Sequence, residues 1–531
     1  MGWDEEFFYS LGEGIYRVTA PNDPEAPRGA FFDLLNMVYE RESDNPQAMR
    51  GATRLGSTDM GGKVTGLFDY KNGTRLVATS SDGKFYQYTG TDFAVEGGAR
   101  ATGNSTSAHA RWSATNFYGA TTETDLLVAC NGIDAPVKYN GADVTALGGS
   151  PPSTGNYPVV WQGRVWMASG STLFYSVVDD CEDWSAGGGG GSINIYRGFD
   201  GDITGLAAFA NNLFIFKRAS TYRISPTAAF STINVRNVST KKGCVSHHTI
   251  QEGGPNGDDW LIYISEHGVD AYMPSSVSSG FKPRELGRWI KPILEARNVD
   301  RMDVSWAIFN LDRAEYLVEY PTASAVNPQV GLLANMAREG NRRPRWTRLG
   351  KQNLTAGAIF VEDNTKYYQY VGDTNGRVYR MNVGVETGAP PTTWDGTGYV
   401  SRAVSLYHVQ KAPQRVKKYG YIFTSVDLEG QGEDVKVQLR MLRQPGMEAP
   451  KNSAGEPIGN KSPLTLSGGK GWGVGHWGVE PWGGTGFAGE RIRPTVVQRG
   501  MGLQLLMESA KFFKLKGYVV ASKMRSSKAA A

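Results

Sequence analysis

The feature that most constrains the fold is a sequence unit that recurs along the middle of the chain. Each unit contains an apolar strand, a turn, a second apolar strand and a short aromatic strand, as in residues 64–88, VTGLFDYKNGTRLVATSSDGKFYQY. The recognisable units begin near Val64, Trp112, Tyr157, Ile203, His247, Met302 and Leu354. These starts are about 44 to 55 residues apart, a period typical of β-propeller blades.

A ring of such units satisfies the physical needs of each one. A single four-stranded sheet exposes two apolar faces and two edges, so it is not stable alone. Stacked units cover those faces, and turns such as Asn72-Gly73 and Asp82-Gly83 supply the positive φ that tight hairpins require. The sequence therefore predicts an all-β fold with a propeller of about seven blades, six to eight, over residues 57–385.

The unit that begins near His247 is longer than the others because it carries an insertion at residues 283–297. The apolar residues of this insertion recur at helical spacing, and they are Leu286, Trp289, Ile290, Ile293 and Leu294. The spacing predicts one short amphipathic helix that lies on the propeller. Because proline disrupts a helix interior, we expect the helix to start or bend near Pro292.

Two segments outside the repeat flank the propeller. Residues 1–56 carry no copy of the unit, and residues 386–403, which include GAPPTT, have the composition of a linker. Beyond the linker, strand patterns resume without the period. The sequence predicts a second all-β domain over residues 386–531, a β-sandwich-like assembly domain that is built together with the N-terminal segment.

A segment rich in glycine and tryptophan lies inside this second domain, at residues 471–487. Trp472, Trp477 and Trp482 are five residues apart, a spacing that suits neither a helix face nor a strand face. These side chains either pack back on the sandwich or dock on a neighbouring subunit, since tryptophan is enriched at interface hot spots. The second interpretation makes the segment a candidate inter-subunit aromatic loop.

Charge is nearly balanced over the chain but uneven along it. With 56 Lys and Arg against 52 Asp and Glu, the net charge is +4, which argues against a highly basic nucleic-acid binder. The run from Arg338 to Lys351 contains one acidic residue, Glu339, and six basic residues, which are Arg338, Arg342, Arg343, Arg345, Arg348 and Lys351. The C-terminal tail carries Lys511, Lys514, Lys516, Lys523, Arg525 and Lys528. Such runs are either solvated surfaces or contacts with a neighbouring subunit or with DNA phosphates.

No residue pattern predicts an enzyme, a metal site or a cofactor site. His247, His248 and His267 fall in one unit, but no carboxylate or cysteine lies at ligand spacing from them. Neither a phosphate-binding loop nor a nucleophile elbow occurs in the sequence. The three cysteines are far apart, which predicts buried reduced thiols, and they are Cys130, Cys181 and Cys244.

No targeting or membrane signal is visible. The sequence begins MGWDEE, without a basic region followed by an apolar run. No stretch approaches the ~18 apolar residues that a bilayer requires. We therefore expect synthesis in a cytoplasm and no membrane insertion.

Short segments at both ends of the chain and inside the repeat share a pattern with one family. They are DLLNMVY at 33–39, MRGATRLG at 49–56, the unit at 64–88, the segment 174–184 and FKLKGY at 513–518. Together these segments resemble the tail nozzle and packaged-DNA stabilisation proteins of short-tailed bacteriophages. The resemblance covers most of the chain and rests on loose patterns.

The resemblance implies a structural protein of the virion tail, made in the host cytoplasm, that forms a ring with copies of itself, usually a hexamer. Its expected partners are the portal or adaptor ring, tail fibres or spikes, and the double-stranded DNA that is retained in the channel and ejected through it. The terminal segments would build the ring. The alternative is a propeller adhesin or carbohydrate-binding module involved in host recognition.

Overall fold

The computed structural model describes residues 4–18, 23, 26–41, 43–119, 125–196, 199–226, 233–255, 259–274, 281–337, 343–351, 353–362, 366–381, 393–409, 415–427, 434–442, 464–467, 487–492, 498–510 and 512–524. Short strands precede the repeat in this part of the chain. They are β1 (Asp4–Phe8), β2 (Phe31–Leu35), β3 (Met37–Tyr39), β4 (Pro46–Ala48) and β5 (Ala52–Arg54).

The middle of the described chain consists of consecutive units of four antiparallel strands. Unit 1 contains β6 (Val64–Tyr70), β7 (Arg75–Ser80), β8 (Phe85–Tyr88) and β9 (Phe93–Val95). Unit 2 contains β10 (Ser113–Tyr118), β11 (Asp125–Cys130), β12 (Val137–Tyr139) and β13 (Val144–Ala146). Unit 3 contains β14 (Asn156–Trp161), β15 (Arg164–Ser169), β16 (Thr172–Tyr175) and β17 (Gly191–Asn194). Unit 4 contains β18 (Ile203–Phe209), β19 (Asn212–Lys217), β20 (Thr221–Ile224) and β21 (Val235–Ser239).

Three further units follow the same plan. Unit 5 contains β22 (Gln251–Glu252), β23 (Leu261–Ser265), β24 (Gly268–Pro274) and β25 (Phe281–Glu285). Unit 6 contains β26 (Trp306–Asn310), β27 (Glu315–Tyr320), β28 (Val330–Asn335) and β29 (Arg345–Leu349). Unit 7 contains β30 (Leu354–Glu362), β31 (Lys366–Asp373), β32 (Val378–Met381) and the N-terminal β5. The unit starts expected from the sequence lie within about four residues of the observed first strands, as a local repeat signal allows.

Unit 7 is completed by a strand from the other end of the sequence. β5 pairs antiparallel with β32, with Thr53 opposite Arg380, although β5 lies before the predicted propeller range of 57–385. The Thr355 hydroxyl in β30 donates a hydrogen bond to the Val64 carbonyl in β6 at 2.7 Å, and both units contribute to one apolar cluster. Units 7 and 1 therefore pack together, and the fold is all-β and propeller-like.

The insertion at 283–297 departs from the expected helix. Its first residues, 283–285, belong to β25, because they pair with β24 and place Glu285 opposite Asp270. The helical part is a 3-10 turn at Arg288–Ile290 followed by α1 (Lys291–Leu294), with Pro292 in the first turn of α1. Proline fits there because the first turn lacks N–H partners in any case. The predicted start near Pro292 is thus confirmed. The regular helix is shorter than the apolar spacing over 286–294 indicates, and Trp289 is buried, as expected for its apolar face.

Of the strands after the repeat, the first two extend the sheet of unit 7 beyond β5, and the others join two further sheets. The strands after the repeat are β33 (Thr393–Trp394), β34 (Thr397–Gly398), β35 (Ser401–Ser405), β36 (Lys417–Asp427), β37 (Asp434–Leu442), β38 (Leu464–Ser467), β39 (Phe487–Ile492), β40 (Gln498–Gly500), β41 (Gly502–Ser509) and β42 (Lys514–Met524). The first sheet runs β3-β4-β42-β36-β39, with β1 on β42 and β40 on β36. The second continues unit 6 in the order β26-β27-β28-β29-β2-β35-β41-β37-β38. Both sheets contribute buried side chains to one apolar core, so they pack against each other.

The N-terminal strands join these sheets at several places. β1 pairs with β42, β4 touches β42, and β2 lies between β29 and β35. The segment therefore links unit 6, unit 7 and the region after 393.

Arg345 fixes the N-terminal segment to unit 6. Its side chain is 1% exposed, and its guanidinium donates to the Ser43 carbonyl and to the Asn335 side-chain oxygen, each at 2.7 Å. It also lies 3.2 Å from the Asp44 carboxylate and stacks 4.7 Å from the centre of the Tyr39 ring. One buried cation thus satisfies acceptors from both segments.

Replacing Arg345→Met should lower the free energy of unfolding by about 3 kcal/mol, because buried acceptors lose their donor. The measurement is urea unfolding followed by tryptophan fluorescence. Arg343→Met is the matched control, since Arg343 is exposed and should cost less than about 1 kcal/mol. Equal effects of the two substitutions would contradict this role of Arg345.

Candidate functional site

The structure separates the residues of the basic run. Arg338 and Arg342 lie outside the described residues. The Arg343 guanidinium is exposed and lies 4.8 Å from the centre of the Trp289 ring. The Lys351 ammonium lies 5.5 Å from the Tyr379 ring centre. The Arg345 side chain is buried and makes its contacts within the chain. It is therefore not accessible to DNA or to a neighbouring subunit.

Arg348 belongs to a cluster that the sequence did not reveal. Its guanidinium lies 3.1 Å from the Asp33 carboxylate, which also lies 3.4 Å from Arg17 and 3.3 Å from Arg402. The Asp33 side chain is 5% exposed, whereas the three arginine side chains remain partly exposed. We call these four residues the arginine cluster.

The topology explains why the arginine cluster forms. β2 carries Asp33 between β29 and β35, which carry Arg348 and Arg402, and the backbone N–H of Arg17 donates to the Trp289 carbonyl at 2.9 Å. Burial lowers the pKa of Arg17, as do its two arginine neighbours, while Asp33 opposes the shift. Three cations surround one carboxylate, so the surface keeps excess positive charge, which suits an acidic partner or phosphate groups.

The structure describes only some of the other residues that the sequence predicts at an interface. Trp472, Trp477 and Trp482 lie outside the described residues, as do Lys511, Arg525 and Lys528. Of the described tail lysines, Lys514 lies 3.5 Å from the Glu40 carboxylate and Lys516 lies 3.2 Å from Asp427. These two pairs are intramolecular contacts at the surface, where ion pairs contribute little stability.

A polar cavity of about 140 Å³ lies where the first strands of units 1, 2, 6 and 7 meet the turn that carries His247 and His248. We call it the central cavity. From the residue before Trp112, the Arg111 guanidinium reaches the backbone carbonyls of Val304 and Thr355, the latter at 2.9 Å. Burial lowers the pKa of Arg111 to about 10, so it stays charged at neutral pH. Its hydrogen bonds to these two carbonyls connect unit 2 to units 6 and 7.

The two histidines of the central cavity are neutral at pH 7. The His247 ring accepts a long hydrogen bond from the Leu206 backbone N–H, at 3.4 Å, and packs on Tyr157 with ring centres 4.7 Å apart. Burial lowers the pKa of His247 to about 4. Burial also lowers the pKa of His248, with nearby Arg111 adding to the shift. The described lining of this cavity contains no carboxylate and no thiol.

Within the described ranges, no three His, Cys, Asp or Glu side chains lie close enough together to hold a metal ion. Among the helices that the structure describes, none has the length and apolar character needed to cross a bilayer. Cys130, Cys181 and Cys244 are free and buried, as predicted. Burial raises the pKa of the Cys181 and Cys244 thiols to about 12, which makes them poor nucleophiles.

No protein-family model matches the chain, and no curated protein matches it. The extracellular domain of a candidate one-component system from B. thetaiotaomicron is similar in structure, with a TM-score of 0.40 and 10% identity over 62% of this chain and 39% of that one. The extracellular domain of a candidate hybrid two-component system from the same organism gives 0.38 and 9% over 62% and 39%. A computationally designed protein gives 0.36 and 11% over 63% of this chain and 100% of its own. The chain thus spans about two fifths of the first two structures.

Acid should destabilise the fold through His247. Its pKa is lowered from 6.5 in the unfolded chain to about 4 in the folded chain, so its contribution is complete above pH 6.5 and is lost as the pH falls toward 4. At pH 5 the loss should be about 2 kcal/mol. Urea unfolding at pH 7 and pH 5 should show a smaller acid loss for His247→Gln than for the parent chain.

The Gln251→Ala variant provides the control for this titration. Gln251 lines the same cavity and carries no titratable group, so its substitution should leave the pH dependence unchanged. An acid loss in His247→Gln as large as in the parent would show that another group causes it.

Proposed function

We propose that this chain is a structural subunit of a virion tail, a nozzle or tail-tube ring that surrounds a channel for genome retention and ejection. The observation that carries the proposal is the sheet that runs through nine strands from β26 in unit 6 to β38 in the flanking region. Backbone hydrogen bonds along such a sheet couple the two parts, so force on one is transmitted to the other. That property suits a load-bearing component.

The proposal includes a finer description of the fold. We take the units as seven blades of one ring, which β5 closes. We take the two packed sheets beyond residue 393, together with β1 to β4, as a β-sandwich-like assembly domain. The contact between units 7 and 1 and the shared apolar core of the two sheets support this description.

The arginine cluster supports a contact with an anionic partner. Arg348 and Arg402 lie on the continuous sheet, at the junction between unit 6 and the assembly domain, and Arg17 reaches Asp33 from the segment that precedes β2. A cationic patch at this place could face an acidic surface of a neighbouring subunit or adaptor, or the phosphates of DNA in the channel. The central cavity, in contrast, uses its arginine within the chain and has no paired carboxylates in its described lining.

The purified full chain should form closed rings, six subunits being the expected number. Negative-stain electron microscopy shows the rings directly, and analytical ultracentrifugation gives their mass. Assembly is tested under two further conditions. In one the chain is at high concentration in low salt, and in the other it is mixed with portal or adaptor rings. A chain that stays monomeric under all of them, and in purified virions, would contradict the proposal. Binding on a glycan array by such a monomer would favour an adhesin instead.

A further inference from the structure

The sheet that contains β1, β42, β36 and β39 has two different edges. On one side, β1 pairs with β42 and with no other described strand. On the other side, β39 and β40 pair with β36 and with no other described strand. An edge strand presents unpaired backbone N–H and C=O groups, which can pair with a strand of another chain.

The two edges are compatible in direction. β1 is antiparallel to β42, β42 to β36, and β36 to β39. β1 and β39 therefore run in opposite directions at opposite edges of the same sheet. When two copies lie side by side in the same orientation, β1 of one copy meets β39 of the next as an antiparallel neighbour.

The two edges also lie at the same level of the sheet. Phe7 is opposite Val519, Val519 is opposite Phe423, and Phe423 is opposite Arg491. The adjoining row connects Phe8 to Glu490 in the same way, through β42 and β36. A rotation about a ring axis, without translation along it, can therefore bring the edges together. Repeated head-to-tail contacts of this kind close into a ring when the rotation between neighbours divides a full turn.

The residues of β1 suit a covered edge better than a solvated one. Phe7 is 49% exposed and Tyr9 is 59% exposed, and their rings stack with centres 5.9 Å apart. Strands that protect a sheet edge usually carry charged side chains, proline or a bulge, and the charges of β1 are confined to its first three residues, so they do not protect the part of the edge at Phe7. β1 begins Asp4-Glu5-Glu6, whereas the sequence of the opposite edge carries Arg491 and Arg499 against one acid, Glu490. Arg28 pairs with Glu6 at 3.2 Å and offsets one of these acids, but the two edges still have opposite net charge, which favours pairing between them.

We propose that copies of this chain join head to tail through antiparallel pairing of β1 in one copy with the β39–β40 edge of the next. The pairing makes one closed sheet to which each copy contributes β1, β42, β36 and β39. Closure covers the β1 edge and the β39–β40 edge, whereas β4 and β3, which join the same side of β42 near Lys514, lie outside this pairing. This inference rests on the proposed ring and adds the strands that build it.

Cysteine cross-linking tests the pairing. A chain with Phe7→Cys and Arg491→Cys should form a disulfide-linked ladder up to the full ring under a mild oxidant, because facing positions on neighbouring strands approach within disulfide range. The variant with Phe7→Cys and Gly489→Cys should form the ladder instead if the pairing of β1 with β39 is shifted by two residues. The native cysteines are buried with raised thiol pKa values, so they do not compete.

Two controls define the geometry. Phe7→Cys combined with Val95→Cys should give no ladder, since Val95 is exposed but lies on β9 of unit 1. Phe7→Cys alone should give no dimer in a head-to-tail ring. A dimer from that single variant would indicate a two-fold contact and would overturn the proposal.

An electron microscopy map of the unmodified ring that resolves individual strands tests the β1–β39 pairing even if a cysteine variant fails to fold. The expected map shows β39 of the next copy beside β1. Rings without this neighbour and without cross-links would overturn the strand pairing and leave the proposed function intact. Absence of any ring would remove both.

Discussion

The pairing of the N-terminal segment with strands hundreds of residues away is the interaction on which the rest of the structure depends. β5 supplies the fourth strand of unit 7, β2 joins β29 of unit 6 to β35, and β1 covers one side of β42. Without them, three sheets would expose edges. The entropy cost of such long-range closure grows only slowly with loop length, about 0.6 kcal/mol for each doubling, so a short strand from the far end of the chain can serve this purpose.

The sequence predicted the repeat well because its signal is local. The units have short apolar strands, and units 1 and 7 turn at Asn-Gly or Asp-Gly, so Val64, Ile203 and Leu354 could be placed as first residues without knowledge of the fold. The pairing of β5 could not be predicted in this way. Three residues, Ala-Thr-Arg, carry no periodicity, and they form a strand because β5 lies between β32 and β33 in the folded chain.

The candidate site was predictable only in part, for a related reason. A run of arginines in sequence indicates local positive charge, but burial is decided by the fold: Arg345 is buried beneath the N-terminal segment, whereas Arg348 reaches Asp33. Arg17 and Arg402 stand alone in the sequence, and only β2 between β29 and β35 brings them together. The prediction that the basic run and the tryptophan segment contact DNA or a neighbouring subunit stays a prediction for the residues outside the described ranges.

If the seven units form one ring within the chain, as proposed, that ring should unfold together with its N-terminal strands as one cooperative body. Native-state hydrogen exchange, read by mass spectrometry on peptides from 31–54 and from 306–349, tests this most directly, since exchange reports the free energy of opening for each segment. The account predicts that both segments exchange with the same free energy, equal to that of global unfolding. Exchange of 31–54 at much lower free energy, with 306–349 still protected, would show that the ring stands without its N-terminal strands and would contradict the account.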